Sequence, residues 1–384
     1  MFPGWPWSML LVAAPALVSL SYPVHLAVAR ARGRRRRPDR IPSRIGVVVP
    51  VRGAEEGLAA NVTALIAQRA PGGVRLVFVA EAAEDAGLAT ARTLAAGHEH
   101  VRLVVSGPAG TELGKGHNLA AGLEHIDADI VVLADSDARP PDPGFLARLV
   151  ERLDDPSVGL VTCVPSYRDA KDLGSGLVAA MIDTDVAGLF GVFQAWDRMA
   201  VANGTCLGVR ADVLERAGGV TWLRRRLLMD SALARRVVQM GHRVALHDEP
   251  IPVHREHLRW SECWSQARRW HVAMRFGLPL ARYAGLGWLR AGVPIAALAL
   301  ALTPHVAGAA MLVSVGVARV LAAALVSRTF LRDRAPLWVL LLTPVADVIT
   351  TVAWCAAFVR PEVSWRGMRY RVGPGAVVSS RGTS

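Results

Sequence analysis

Two aspartates that follow a short apolar segment have the spacing in this sequence that most directly suggests chemistry. Asp135 and Asp137 come directly after residues 129–134, which are apolar enough to form a buried strand. Ligands of open α/β sheets lie at the carboxyl ends of the strands. Two acids at such a place repel each other unless a cation lies between them, and hard oxygen ligands suit Mg²⁺ or Mn²⁺. We therefore expect Asp135 and Asp137 to hold a divalent metal that carries a diphosphate, with a solvated turn as the alternative.

Further downstream, two more polar groups extend this pattern. Asp230 begins a predicted helix next to Met229, and an apolar neighbour tends to raise the pKa of a carboxyl toward that of a useful base. Gln266, Arg269 and Trp270 have i, i+3 and i+4 spacing and so share one helix face. The alternatives are a helix N-terminal charge for Asp230 and an interfacial Trp and Arg belt for the other three.

The elements that must position these residues follow an alternating pattern of strands and helices. We predict strands at residues 44–51, 74–79, 101–105, 129–134 and 158–164, separated by helices at residues 54–69, 84–97, 115–126 and 142–153. Such alternation predicts an α/β fold with a mainly parallel sheet and right-handed crossovers. After residue 166 the pattern becomes mixed, with helices near residues 172–190, 211–217 and 229–240, a strand at 242–246 and a Trp- and Arg-rich helix at 259–276.

The apolar residues are concentrated in four stretches. The chain has 384 residues, 52% of them hydrophobic, and a mean hydropathy of +0.31. The apolar stretches span residues 8–29, 286–302, 305–326 and 336–359, and at least the first and third reach the roughly 20 residues that cross a bilayer as a helix. We expect an N-terminal transmembrane anchor at residues 1–32, a catalytic domain at 33–285 and a C-terminal membrane region at 286–384.

The positive charge of the chain is concentrated beside the first apolar stretch. The net charge is +12, and the run from Arg30 to Arg40 follows that stretch, which is the wrong order for a cleaved signal peptide and the right one for an anchor. By the positive-inside rule this flank is cytoplasmic. A basic run that touches an apolar span favours anionic lipid headgroups, so we expect an integral protein of a bacterial inner or plasma membrane, with its catalytic domain in the cytoplasm and no nucleic-acid partner.

The last apolar stretch has basic residues on both sides, and a single crossing of the membrane by this stretch would violate the positive-inside rule. Thr343 and Pro344 interrupt its middle, so a re-entrant or interfacial hairpin is the expected resolution, with the tail around Tyr370 cytoplasmic and near the active site. Residues 286–302 and 305–326 form a second expected hairpin that turns at residues 303–305. Arg319 inside the membrane is costly unless it is paired, and Asp347 is the expected partner.

Taken in order, these motifs resemble those of the lipid-directed and processive inverting glycosyltransferases of GT-A fold. The pattern of that group is Asp, Asp-x-Asp, Asp and Gln-x-x-Arg-Trp, and the chain is most similar to the ceramide glucosyltransferase family (families 21 and 2), with its bacterial relatives that glycosylate hopanoids or diacylglycerol. Residues 134–139, 202–214, 217–219 and 364–371 support the match, which covers residues 44–371.

The resemblance implies a GT-A (nucleotide-diphospho-sugar transferase) fold and a nucleotide site. It implies that Pro50, Arg52 and Glu55 help to hold the nucleotide, as does Lys115 unless it is merely an exposed helix residue. The first aspartate of the pattern is replaced here by Glu81, which we expect to contact the nucleotide. Asp85 is the substitute.

The expected roles follow from charge in a UDP-sugar reaction. Metal held by Asp137, with Asp135 nearby, would neutralise the UDP leaving group. Arg269 would add a fixed cation, with Trp270 packed beside the uridine or the acceptor. Asp230 would take the proton from an acceptor hydroxyl. One base and no second carboxylate as nucleophile imply a single displacement with inversion.

The predicted activity is thus the transfer of a hexose or N-acetylhexosamine from a UDP-sugar to the hydroxyl of a membrane lipid of ceramide, hopanoid or diacylglycerol type. The helix at residues 259–276 would lie at the bilayer surface. A processive polysaccharide synthase is the rival among enzymes, although such synthases carry more spans. A catalytically inactive lipid-binding scaffold on the same fold is the rival from another class.

Overall fold

A computed structural model describes the backbone of residues 5–33, 43–302, 305–333 and 335–383. Three features that the sequence singled out lie outside the described residues. These are most of the arginine run, the turn at residues 303–304, and Arg334.

The elements of the first half confirm the predicted alternation. In chain order they are α1 (Trp5–Gly33), β1 (Ile45–Pro50), α2 (Leu58–Ile66), β2 (Val74–Ala80), α3 (Ala86–Leu94), β3 (Val101–Val105), α4 (Gly114–Leu123), β4 (Ile130–Ala134), α5 (Phe145–Val150) and β5 (Val158–Thr162). Every residue of β4 and β5 is buried. Such continuous Val, Leu and Ile runs are expected where helices cover both faces of a parallel sheet.

The second half of the chain forms the mixed part of the sheet and the helices that lead to the predicted membrane region. Its elements are β6 (Pro165–Arg168), α6 (Leu173–Met181), α7 (Ala187–Ala195), β7 (Cys206–Arg210), α8 (Ala211–Arg216), α9 (Met229–Gln239), β8 (Arg243–Leu246), β9 (Ile251–His254) and α10 (Trp260–Gly277). A π-helical segment, Ile182–Val186, joins α6 to α7.

Within the described residues the main sheet has the order β3-β2-β1-β4-β7-β5-β8. Strands β1 to β4 are parallel, and β7 runs antiparallel to both β4 and β5. The end of β4 is therefore paired with the start of β7, where Ala134 lies opposite Cys206. The mixed, mainly parallel α/β sheet confirms the predicted fold class. The antiparallel insertion of β7 brings residues 203–205 beside the two aspartates.

A small parallel pair, β6 and β9, was not predicted from the sequence. It lies next to the main sheet, because Ala138 bridges to Val253 in β9. The residues that follow β9 are thereby brought close to Asp137.

The predicted membrane region contains α11 (Leu280–Arg290), α12 (Gly292–Leu302), α13 (His305–Val326), α14 (Leu337–Leu341) and α15 (Thr343–Val359), which are called the membrane helices below. Among the described residues, two helices are long and apolar enough to cross a membrane, Leu173–Ala195 and Val306–Leu331. The pair α11 and α12 passes the same test as one span, bent by 67°. Leu173–Ala195 is 83% buried inside the fold, whereas Val306–Leu331 is only 28% buried, so the latter has the larger accessible surface.

The membrane helices are joined by buried contacts to α1 and to the catalytic domain. Tyr22 and Leu26 of α1 pack over Gly188 and Gly191 of α7. The predicted pairing inside the membrane region is confirmed, because Arg319 donates two hydrogen bonds of 2.7 Å to Asp347. Arg319 donates a third, also of 2.7 Å, to Asp185 in the π-helical segment, which the sequence did not indicate.

A C-terminal antiparallel sheet is the largest feature that the sequence did not predict. It comprises β10 (Glu362–Trp365), β11 (Met368–Gly373) and β12 (Val377–Thr383). The sheet joins the catalytic domain through a bridge between Arg226 and Val377 and through the N–H of Leu227, which donates to the carbonyl of Ala376.

Candidate active site

A lysine at the start of α4 links the first metal-site aspartate to the region of the predicted base. Lys115 Nζ lies 2.5 Å from Asp135 Oδ1 and donates to the carbonyl of Gly204 at 3.2 Å. A β-carbon built on Gly204 would lie 3.1 Å from both Lys115 Nζ and Asp230 Oδ2. Asp135, Lys115 and Asp230 therefore surround one small volume, and the alternative of an exposed helix residue for Lys115 is wrong.

Asp137 lies in the same cluster, where its charge is poorly compensated. Burial raises the pKa of its carboxyl to about 6, Asp135 and Glu55 add to the rise, and Arg255 and Lys115 oppose it. Its Oδ2 lies 3.4 Å from Arg255 Nη2, and its Oδ1 is buried without a hydrogen-bond partner. A solvated turn does not leave such an oxygen, because water would satisfy it.

Glu55 adds a third carboxylate to this cluster. It accepts a 2.6 Å hydrogen bond from the hydroxyl of Ser136, which lies between the two aspartates in sequence. Its other oxygen pairs with Arg366 of the C-terminal sheet at 3.0 Å. The loop after β1 and the C-terminal sheet thus meet at the predicted metal site.

Asp230 lies in the first turn of α9, where the sequence predicted it. Its pKa is raised by burial, while Lys115 and the backbone N–H groups of Ser231 and Gly204 oppose the rise. Ser231 N donates to Asp230 Oδ1 at 2.7 Å, which leaves Oδ2 directed to the side of Lys115 and Gly204. The direction of the pKa shift is the one predicted from the apolar neighbour Met229.

The helix α10 presents its predicted residues to different surroundings. Gln266 lies beside Tyr167, whose pKa is raised by burial and by the nearby charge of Asp137. Arg269 lies 5.2 Å above the ring of Trp365, and its pKa is lowered to about 10 by burial and by Arg366, against Tyr167 and Asp135. Arg269 is therefore linked to the site by its packing on Trp365 and by its electrostatic interaction with Asp135.

Trp270, the third member of that motif, packs in a different cluster. Its neighbours are apolar residues of α6, α10 and α15, where the catalytic domain meets the membrane helices. Its predicted contact with the donor or acceptor remains a prediction.

Known proteins were compared with this chain. The sequence profile of Glycosyl transferase family 21 matches residues 9–378. The chain belongs to this family. The probable glycosyltransferase YdaM of Bacillus subtilis (strain 168) is 22% identical over 188 residues, which are 47% of this chain and 44% of YdaM. The chain thus spans less than half the length of that curated relative.

Among solved structures, the chain is similar to the mannosyltransferase PcManGT from Pyrobaculum calidifontis, determined in complex with GDP-Man and Mn²⁺. The TM-score is 0.56 at 21% identity, over 91% of this chain and 99% of that one. At this identity the likeness establishes a shared GT-A-like fold.

The nucleotide-side residues predicted for this family 21 member lie around the ends of β1 and β2. Pro50 ends β1, and Arg52 follows it on the surface. Glu81 follows β2 and accepts a hydrogen bond from the N–H of Ala109 at 3.1 Å. Asp85 instead caps α3 and also accepts from the N–H of Gly53, so backbone donors already satisfy its oxygens.

The donor set fits a hard divalent cation. Asp135 and Asp137 supply only carboxylate oxygens, which are the ligands that Mg²⁺ and Mn²⁺ accept. The buried oxygen of Asp137 that lacks a partner gives a direct reason for a cation at this point.

Sequence reasoning missed four residues of this cleft. They are Ser136, Tyr167, Arg255 and Arg366, which contact Glu55, Gln266, Asp137 and Glu55 respectively. The segment 364–371 was singled out as unusual, and it could have identified Arg366. Ser136 lies inside the predicted segment 134–139, whereas Tyr167 and Arg255 are brought in by the β6–β9 pair, for which the sequence has no local signal.

Proposed function

We propose that this family 21 protein is a metal-dependent, inverting glycosyltransferase. It moves a hexose or N-acetylhexosamine from a UDP-sugar to the hydroxyl of a membrane lipid of ceramide, hopanoid or diacylglycerol type. The observation that carries the proposal is the single cluster in which Lys115 lies between Asp135 and the Gly204–Asp230 region. A cation site and a base in one cleft are what direct displacement from a nucleotide sugar requires.

The roles of the residues follow from their surroundings. A divalent metal held by Asp135 and Asp137 would supply positive charge against the departing diphosphate. Asp230 accepts the proton of the acceptor hydroxyl, and its raised pKa makes it a stronger base than an exposed aspartate. Arg269 and Lys115 hold fixed positive charge beside the leaving group.

Glu81 is the preferred nucleotide contact over Asp85. The Asp85 carboxylate accepts from the N–H groups of Gly53, Gly87 and Leu88, which leaves it little capacity for a ligand. Glu81 lies beside the first residue of α4, and a β-carbon at Gly114 would come within 2.5 Å of its Oε1. Pro50 and Arg52, at the neighbouring strand end, complete the proposed nucleotide side.

A membrane location brings the acceptor to this cleft. The lipid-accessible helix Val306–Leu331 and the bent pair α11–α12 support insertion of the C-terminal region, and α10 connects it to the site. We propose that residues 1–32 form an anchor, that residues 33–285 lie in the cytoplasm, and that residues 286–384 form the membrane region and its basic tail.

The test is transfer by the purified full chain in lipid nanodiscs. Radiolabelled UDP-glucose, UDP-galactose and UDP-N-acetylglucosamine are supplied separately with Mn²⁺ or Mg²⁺, and the lipids are extracted and resolved. GDP-mannose is a fourth arm, because the similar PcManGT structure contains GDP-Man. Label in a lipid supports the proposal. Label in a long water-soluble polymer identifies a processive synthase, and no transfer with any donor, together with binding of the lipid, identifies a scaffold.

A further inference from the structure

The turn between β10 and β11 carries a cation into the proposed donor cleft. Trp365 pairs with Met368, so the turn consists of Arg366 and Gly367, with φ of 51° and 81°. Both residues are left-handed, as in the two-residue hairpin turns that match the strand twist. Arginine rarely adopts this conformation, which costs about 1 kcal/mol relative to glycine. The turn places the half-exposed side chain of Arg366 beside Glu55, with which it pairs at 3.0 Å.

The same hairpin contacts the proposed site at two further positions. The Trp365 ring lies under the guanidinium of Arg269 at 5.2 Å. Tyr370 of β11 is buried, and its pKa is raised by burial and by Glu81, against Arg52. Residues 365–370 therefore form one wall of the proposed cleft, from the proposed nucleotide contacts to the proposed metal site.

The charges along this wall are unbalanced. Among the described residues, no carboxylate lies within salt-bridge distance of Arg269, although Arg269 is partly buried. Arg366 is close enough to lower the pKa of Arg269 further. Of these two neighbouring guanidinium groups only Arg366 has a paired carboxylate, Glu55, and that carboxylate also belongs to the acidic cluster around Asp137. An anion between Arg269 and Arg366 would relieve the repulsion, and guanidinium groups suit phosphate oxygens.

We propose that Arg366 is a diphosphate-binding residue, which exchanges Glu55 for the donor's phosphates when the nucleotide sugar binds. It then acts with Arg269 on the diphosphate from the side opposite Asp135 and Asp137. Glu55 is released toward the acidic cluster at the same time, so that donor binding increases the negative charge available to a metal. This inference rests on the proposed function, because it takes the cleft to be the donor site.

The test compares binding of UDP and of uridine, both with Mn²⁺, to the full chain in nanodiscs by isothermal titration calorimetry. We expect Arg366→Ala to weaken UDP binding by about tenfold to a hundredfold, since a hydrogen-bonded ion pair is lost. Uridine binding should be unchanged, because uridine has no phosphate. Arg366→Lys, which keeps the charge, should retain part of the affinity.

Arg371→Ala is the matched control, because it removes the same charge from an exposed position of β11 and leaves UDP binding unchanged. Equal loss of UDP and uridine binding by Arg366→Ala, or an unchanged UDP affinity in it, overturns the inference. If Arg366→Ala unfolds at a lower temperature than wild type, its binding data are set aside. The ratio of UDP affinity to uridine affinity in Arg366→Lys is then compared with the wild-type ratio, and an unchanged ratio overturns the inference. If the wild-type chain binds neither UDP nor GDP, that result overturns the proposed function itself and not only the inference about Arg366.

Discussion

At the scale of single residues, the properties of Asp137 are those of a cation ligand rather than of a stabilising side chain. Its carboxylate has one weak partner, Arg255, and one buried oxygen without any. Burying a charge without full compensation costs stability. The cost is tolerated where a ligand later supplies the compensation.

We therefore expect Asp137→Asn to stabilise the metal-free chain at pH 8 by on the order of 1 kcal/mol. The pKa of Asp137 rises from 3.8 to about 6 on folding, so wild-type stability falls as the pH rises through that window. The advantage of the variant is accordingly present above the window and absent below it. Thermal unfolding in EDTA at pH 8 and at pH 3.5 measures this. Adding Mn²⁺ should raise the unfolding temperature of wild type only, and an equal Mn²⁺ effect in both would contradict a ligand role for Asp137.

For Asp230, the prediction concerns the pH dependence of transfer. A base must be deprotonated, so the rate falls as the pH is lowered through its pKa. Lys115 lowers that pKa, and Lys115→Gln should therefore move the acidic limb of the kcat profile to higher pH, whatever it does to the maximum rate. Lys171→Gln is the control, because Lys171 is exposed and pairs with Glu256. An unmoved limb in Lys115→Gln would mean that another group titrates.

The sequence alone is sufficient to predict the candidate site residues that lie close together along the chain. Asp135 and Asp137 follow an apolar strand, and Gln266 and Arg269 share a helix face, so short-range patterns predicted their proximity to a common site. Tyr167 lies in β6 and Arg255 directly follows β9, and the paired residues of these two strands are 86 residues apart in the chain, for example Arg168 with His254. A short strand of four residues has no periodicity from which its partner can be derived.

At the scale of elements, the position of α4 depends on a glycine contact. A β-carbon on Gly116 would lie 2.8 Å from the Cα of Arg224, which is backbone and cannot rotate away. The start of α4 therefore lies directly on the loop before α9, and this contact sets the place of Lys115 between Asp135 and Gly204.

We expect Gly116→Ala to displace α4 and to destabilise the chain by about 1–3 kcal/mol, as overpacking does. Nucleotide binding should weaken with it, because Lys115 moves. Gly285→Ala in α11 is the control, since no atom lies within 4 Å of its added methyl group and alanine favours helix by about 1 kcal/mol. Thermal unfolding and UDP titration of both variants test this, and a Gly116→Ala chain as stable as Gly285→Ala would contradict it.

The main sheet was largely predictable, but its antiparallel strand and the C-terminal sheet were not. Strand periodicity shows where a strand is and not which neighbour it joins, and the residues of β7 were not predicted as a strand at all. The residues of β10 to β12 are rich in arginine and glycine and follow the last apolar stretch, so the sequence predicts a basic tail there and not a sheet. Their pairing depends on the distant loop at Arg226 and Leu227.

At the scale of the whole molecule, a buried charge cluster joins the membrane helices to the catalytic domain. Arg319 in α13 bonds Asp347 in α15 and Asp185 in the π-helical segment, and Arg290 lies 3.6 Å from Asp185. Removing one member of such a cluster leaves an uncompensated buried charge, whereas removing a pair leaves none.

Arg319→Met should accordingly destabilise the chain by about 3–5 kcal/mol in nanodiscs, and the double variant Arg319→Met with Asp347→Leu should be less destabilised than the single one. Asp185 keeps Arg290 as a partner in both. Thermal unfolding of the two variants measures the difference. A double variant that is less stable than the single would show that Arg319 and Asp347 contribute independently.

The C-terminal sheet also constrains the topology. Because β11 and β12 pack on the catalytic domain, the chain must return to the side of that domain after α15. If the segment between α10 and β10 is embedded in a membrane, we therefore predict that it crosses an even number of times, as a hairpin of α11–α12 with α13 and a non-crossing α14–α15 would. A reporter fused after Ser384 should be active in the cytoplasm, and activity in the periplasm would contradict the arrangement.

The central claim is that a cation site and the base Asp230 act on one nucleotide sugar, and Asp230→Asn tests it most directly. Turnover and UDP binding are measured on the same purified chain in nanodiscs, with Mn²⁺ and the best donor. The account predicts that kcat falls by about 10²–10⁴-fold while the affinity for UDP stays within a factor of about three, since the lost group serves proton transfer and not donor binding. Near wild-type turnover by Asp230→Asn would contradict the account.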